Sequence, residues 1–188
     1  MVRLWNFGYA IDNTSDKAKS KTSRCTPELK LSFDDYLKDT SGNNVYVRNE
    51  NVFVKGGYAF FNGKSRLLIP RFTNSELGRT FIIRIKYKEA GKFSGQGSVQ
   101  ALVSNGDCKA EPSILLFKDN YGVNFVVKTE GKNNVGFEIP KENSEWKHVE
   151  YVFANDRLEG VVNHASKFSW AVDGKFFIVV RALLRSID

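Results

Sequence analysis

Two cysteines and two histidines in a chain of 188 residues leave little from which to build a metal or redox centre. Nothing near Cys25 or Cys108 supplies metal-ligand spacing, so neither a zinc site nor a dithiol motif fits, and one disulfide or two free thiols remain. His148 and His164 likewise lack a second histidine, cysteine or carboxylate at ligand spacing along the chain. A glycine-rich phosphate loop, a nucleophile elbow and a zinc motif are missing as well. Long apolar runs are absent: residues 176–180 and 182–184 are split by Arg181 and fall far short of the roughly 20 residues that a membrane helix needs. Residues 1–10 have Arg3 but no apolar core and no small-residue cleavage site, so no secretory signal is visible, and the chain reads as intracellular or as a segment of a longer protein. With only four prolines, and with 41% hydrophobic and 13% aromatic residues, the composition is that of a folding chain and not of a disordered one.

What is present is a strand pattern. Phe81, Ile83, Ile85 and Tyr87 alternate with Ile82, Arg84, Lys86 and Lys88, and Leu29, Leu31 and Phe33 alternate with Lys30 and Ser32. Each run predicts a strand with one face buried. Further strands are expected at residues 45–47, 52–54, 58–61, 66–69, 99–104, 113–118, 123–129, 135–139, 147–153 and 158–163, with no helix among them. Gly56-Gly57, Asn62-Gly63 and Asn105-Gly106-Asp107 between them tolerate positive φ and mark turns. Many short strands with turn chemistry between them predict an all-β fold, a two-sheet antiparallel sandwich of the jelly-roll type. Residues 12–24 read as a linker, and the Trp5, Phe7, Tyr9 cluster before them as a remnant of a preceding domain in preference to an added strand. The organisation expected is therefore an extension over residues 1–28 and a sandwich over 29–188.

The motifs also carry a resemblance. Leu31-Ser32-Phe33-Asp34-Asp35, then Asp39-Thr40-Ser41-Gly42-Asn43 and Gly57-Tyr58-Ala59-Phe60-Phe61-Asn62-Gly63, look like the opening of a laminin-G-like domain of the concanavalin A-like lectin-glucanase superfamily. Residues 81–88 resemble its central strand, Ala101-Leu102-Val103-Ser104-Asn105-Gly106 its following hairpin, and Trp146-Lys147-His148-Val149 its late tryptophan motif. The likeness covers residues 29–165. Pro70-Arg71-Phe72-Thr73-Asn74 with residues 100–108 is similar, more narrowly, to the laminin-G-like domain of invertebrate shell-matrix proteins of the Pif type. That resemblance implies a secreted protein that associates with chitin and influences calcium carbonate deposition. It also implies a disulfide. The family's late cysteine has no counterpart here, which leaves Cys25 as the internal partner for Cys108. From about residue 166 the chain departs from the family pattern, and a sandwich without its closing strand would leave an edge open; residues 176–180 are the segment expected to fill it.

A net charge of +7 favours acidic partners. Lys17, Lys19, Lys21 and Arg24 form the densest basic run and read as a solvated tail. The sharper feature is Arg84, Lys86 and Lys88, which alternation places on one face about 7 Å apart, suited to a glycan or another polyanion if that face is exposed. Many laminin-G-like domains hold calcium at a loop rim. Asp34, Asp107 and Asp156 are the candidate donors, with Asp35, Asp39 and Asp119 also near turns, although a turn-forming role explains each as well. The paired carboxylates of the glucanases are absent, and Glu138, Glu142 and Glu145 are too irregularly spaced to share a strand face. Nucleic acid would call for exposed aromatics between the basic residues. The reading is a noncatalytic extracellular module, without a membrane span, whose partner is a glycan, an acidic matrix polymer or a matrix protein and not nucleic acid. The alternatives are a glycoside hydrolase-like enzyme and an intracellular protein-interaction sandwich.

Overall fold

Period-two burial runs through the strands of the computed structural model, which describes residues 2–9, 27–34, 36–70, 80–89, 99–106, 112–129, 135–140, 145–164, 166–172 and 182–185. These residues form β1 (Val2–Tyr9), β2 (Pro27–Leu31), β3 (Arg48–Glu50), β4 (Phe53–Lys55), β5 (Tyr58–Phe60), β6 (Arg66–Ile69), β7 (Thr80–Tyr87), β8 (Gln100–Ser104), β9 (Ile114–Lys118), β10 (Gly122–Val127), β11 (Val135–Pro140), β12 (Lys147–Ala154), β13 (Arg157–Val162), β14 (Ser166–Ala171) and β15 (Ala182–Arg185). They make two antiparallel sheets, one ordered β14-β13-β12-β7-β1-β5-β4 with β2 also on β1, the other β11-β10-β9-β8-β15-β6-β3. The fold is the expected two-sheet β-sandwich.

The reason is legible in β7 and β12. Phe81, Ile83, Ile85 and Tyr87 on β7 and Val149, Tyr151 and Phe153 on β12 are buried, while Ile82, Arg84 and Lys86 on β7 and His148, Glu150 and Val152 on β12 take the other face. The rings stack within each sheet and between them: Phe81 lies 5.7 Å from Tyr151 and 5.6 Å from Phe153 in one sheet, Phe125 lies 5.2 Å from the half-buried Phe137 in the other, and Phe125 and Tyr151, 6.1 Å apart, join the two. Tyr151 is fully buried, and its hydroxyl donates to the Val126 carbonyl at 3.0 Å, joining β12 to β10 across the core. Burial pushes that phenol far above its ordinary pKa.

Asp39 organises the loop after β2. It is buried and accepts from the backbone N–H of Ser41 at 2.8 Å, Val45 at 2.9 Å and Lys30 at 3.1 Å, and from the Ser41 hydroxyl at 2.8 Å. Burial alone would raise its pKa, but the donors outweigh it and hold the carboxyl below the usual value. The loop it ties down includes residues 45–47, expected as a strand. They are irregular, and the strand begins at Arg48.

One expectation about the ends is corrected. Val2–Tyr9 is a strand of the sandwich, paired with β7 from Val2↔Tyr87 to Tyr9↔Phe81, so the sandwich takes in this segment and does not begin at residue 29. The gap left by the altered C-terminus is occupied by Ala182–Arg185, which pairs with β6 along its length and with β8 through Leu183. Residues 176–180, expected in that role, lie outside the described residues, as do the linker and the basic run within it.

Two substitutions test this packing. Gly160 lies opposite Tyr151 on β13, and a Cβ there would sit 2.7 Å from the Phe137 ring and 2.9 Å from the Phe125 ring. Gly160→Ala is expected to lower unfolding free energy by about 1–3 kcal/mol through overpacking. Asp39→Ala strands buried N–H donors and is expected to lower it by about 2–4 kcal/mol at pH 7. Because the folded-state pKa of Asp39 is depressed, its contribution is present above the unfolded carboxylate pKa and is lost as pH falls through the folded one. Urea unfolding of both variants at pH 7 and pH 3 measures these effects; the Asp39→Ala deficit should shrink at the lower pH.

Candidate functional site

The outer face of the sheet that contains β7 holds the residues singled out from sequence. Arg84 and Lys86 on β7 point outward and Lys88 follows just past the strand end. Register sets Arg84 opposite Glu150 and Lys86 opposite His148 on β12. Arg84 Nε is 3.3 Å from Glu150, and Lys88 Nζ is 2.6 Å from Glu145. The Lys88 hydrogen bond and charge hold the Glu145 carboxyl below its ordinary pKa. The row is therefore not bare: two carboxylates answer three cations, and Lys86 makes no ion pair among the described residues. Pairs this exposed contribute roughly 0–1 kcal/mol each, so an incoming polyanion can exchange for them at little loss.

Trp146, immediately before β12, turns the row into a mixed surface. Lys86 Nζ and Lys88 Nζ lie 5.5 and 5.3 Å from its ring centroid, within cation–π range. Tyr58 stacks on it at 5.7 Å with planes 22° apart. These two residues are distant in sequence. The β4–β5 hairpin turns on Gly56 and Gly57 at φ 58° and 77°, which only glycine adopts readily. β1 then bridges that hairpin to β7, its Val2 paired with both Ala59 and Tyr87. Sequence reading assigned Tyr58 to a hairpin and Trp146 to a family motif without joining them.

His148 and His164, unpartnered in sequence, face each other with ring centroids 5.4 Å apart. The β12–β13 pairing brings them together: the His148 N–H donates to Asn163 Oδ1 at 2.9 Å, and His164 follows Asn163 in the turn. His164 Nδ1 is 4.0 Å from Glu150. Burial, then the nearby charge of Lys86 and of His164, push the His148 pKa down, with Glu150 opposing.

The three aspartates expected at a calcium rim are not brought together. Asp34 lies exposed beside Gly57, its carbonyl accepting from the Gly57 N–H at 3.2 Å, at the Trp146 end of the sheet. Asp156 sits in the β12–β13 turn at the opposite end, about 25 Å away along eight-residue strands, and Asp107 lies outside the described residues. Asp119 accepts from the N–H groups of Tyr121 and Gly122 and from Asn124, a turn-forming role like that of Asp39. Among the described residues no group of three or more His, Cys, Asp or Glu is arranged to hold a metal ion. Cys25 and Cys108 both lie outside the described residues.

A crevice elsewhere is lined by Tyr87, Glu89, Lys118, Asp119 and Lys147. Glu89 is 3.1 Å from Lys118 Nζ and 3.8 Å from Lys147 Nζ. Its volume, about 10 Å³, is room for one water and not for a sugar ring. No helix of the described residues is long and apolar enough to cross a membrane.

Lys86→Met is expected to raise the His148 pKa toward its ordinary value, because removing a cation favours the imidazolium. Imidazole proton shifts followed by NMR against pH measure this, and an unchanged midpoint contradicts the Lys86–His148 proximity.

No family model matches the chain. A curated relative from Mytilus californianus, described as a shell matrix protein, is 28% identical over 150 residues, covering 78% of this chain and 50% of its own length. One from Margaritifera margaritifera, described as an asparagine-rich protein, is 25% identical over 155 residues, 77% of this chain and 22% of its own. The chain thus spans half the length or less of these relatives. Among solved structures it is similar to the receptor-binding domain of botulinum neurotoxin C/D mosaic serotype, with TM-score 0.68, 14% identity, and coverage of 85% of this chain and 44% of that one. It also matches a neurotoxin type C structure, whose cell entry is described as dependent upon two ganglioside molecules, with TM-score 0.66, 11% identity, and coverage of 84% and 42%. At such identities the likeness establishes the fold, a β-sandwich, and no more.

Proposed function

We propose that this chain is a noncatalytic, extracellular binding module of a shell matrix, laminin-G-like in kind, that takes an acidic polymer on the outer face of its β7 sheet. The observation that carries this reading is the cluster of Lys86 and Lys88 around the Trp146–Tyr58 stack on an exposed face. Cations held against rings are already partly oriented, so less side-chain freedom is lost when an anion arrives. The shell matrix relative supports the setting, and the net charge of +7 supports an acidic partner. The toxin domain's use of gangliosides supports the idea that a sandwich of this shape can serve recognition. The noncatalytic part of the reading is supported by the spacing of Glu138, Glu142 and Glu145 in the sequence, which does not present paired carboxylates on one strand face.

Retention on immobilised heparin and on immobilised polyaspartate tests the site. Lys86→Ala/Lys88→Ala is expected to elute from both at clearly lower salt than the parent protein, with an unchanged far-ultraviolet circular dichroism spectrum. Equal retention of parent and variant on both resins overturns the proposal.

A further inference from the structure

The Trp146–Tyr58 stack is one end of a longer row. Tyr58 is 6.5 Å from Phe60, and Phe60 is 6.0 Å from Phe53, so four rings follow one another across the outer face from β4, the sheet's edge, to the start of β12. Register puts them on that face. Phe53 pairs with Phe60 and Lys55 with Tyr58, while Ala59 between them is the residue buried in the core. None of the four rings belongs to the buried core: Phe53 is 61% exposed, and Phe60, Tyr58 and Trp146 beside it are half-buried. Core packing therefore does not account for them, and a contiguous, partly exposed row of large apolar groups points to an interaction surface.

The charge gathers on the Tyr58–Trp146 half of the row: Lys55 pairs with Tyr58 across β4 and β5, and Lys86 and Lys88 flank Trp146. The rings step from β4 to β5, along β5 from Phe60 to Tyr58, and then over to Trp146 before β12, whereas Arg84, Lys86 and Lys88 run along β7 and just past it. These two arrangements suit different ligands. An acidic peptide needs the cations and gains little from ring faces. A chain of pyranose units offers apolar C–H faces to aromatic rings and carries its carboxylates or sulfates at the ring edges, where ammonium groups can reach them. Successive rings here lie 5.7 to 6.5 Å apart, a spacing comparable with the length of one sugar residue.

We infer that the ligand of this face is an acidic polysaccharide that lies along Phe53, Phe60, Tyr58 and Trp146, from β4 to the start of β12, with its anionic groups held by Lys55, Lys86 and Lys88. The inference rests on the proposed polyanion site and names the polymer class and its path. Ring contacts are not screened by salt whereas the ammonium contacts are, so part of the affinity persists at high ionic strength.

Isothermal titration of the full chain with an oligogalacturonate and with a polyaspartate of similar charge, at low salt and at about 0.5 M salt, tests it. Phe53 is exposed, so Phe53→Ala leaves the fold intact. It is expected to weaken oligogalacturonate about tenfold and to leave polyaspartate unchanged, whereas Lys86→Ala/Lys88→Ala weakens both. Phe53→Ala affecting neither ligand, or both equally, overturns the inference and assigns the face to acidic protein held by lysines alone. Failure of the parent protein to bind either ligand overturns the underlying site as well.

Discussion

Strand β7 lies between β12 and β1, and backbone hydrogen bonding to both neighbours leaves each of its side chains only two directions. Every residue sent inward, from Phe81 to Tyr87, commits the next to the outside. The aromatic stack around Tyr151 and the cationic outer face are therefore two sides of the same pair of strands. A one-residue slip of β12 against β7 would carry Tyr151 out of the core and Glu150 into it. The Tyr151 hydroxyl bond to the Val126 carbonyl guards against that slip, because it forms in one register alone.

The outer face is electrostatically tempered. Glu150 and Glu145 each take up one cation of the β7 row, and His148, held neutral beside Lys86 and His164, adds no charge near pH 7. The result is a surface with a modest excess of positive charge next to half-buried rings, in place of a uniform cationic stripe. Such a surface attracts anions without holding them by charge alone. The depressed His148 pKa also means that the folded state binds fewer protons than the unfolded one, so stability declines as pH drops through the ordinary imidazole range.

The strands between residues 53 and 162 were legible because alternation is a local property: β6, β7, β9, β12 and β13 lie within a residue or two of the predicted bounds, whereas β14 and β15 were not expected. The Val45 segment misled because its alternation serves a loop pinned by Asp39, where Val45 and Val47 meet the core without a ladder. The N-terminal strand was missed for the opposite reason. Its sequence has ordinary strand content, but its place beside β7 depends on pairing with a strand far along the chain.

The sequence by itself determined the β-sandwich class, the inward and outward faces of β7, and the turns at Gly56-Gly57 and Asn62-Gly63, since each follows from side-chain period or from a residue that tolerates positive φ. Only the tertiary structure decided what stands beside the lysines. Tyr58 meets Trp146, His148 meets His164, and Phe53 extends the ring row because β1 and the strand registers bring separate hairpins side by side. Long-range pairing leaves no periodic trace in either partner, and for that reason the row of cations could be seen in the sequence and the row of rings could not.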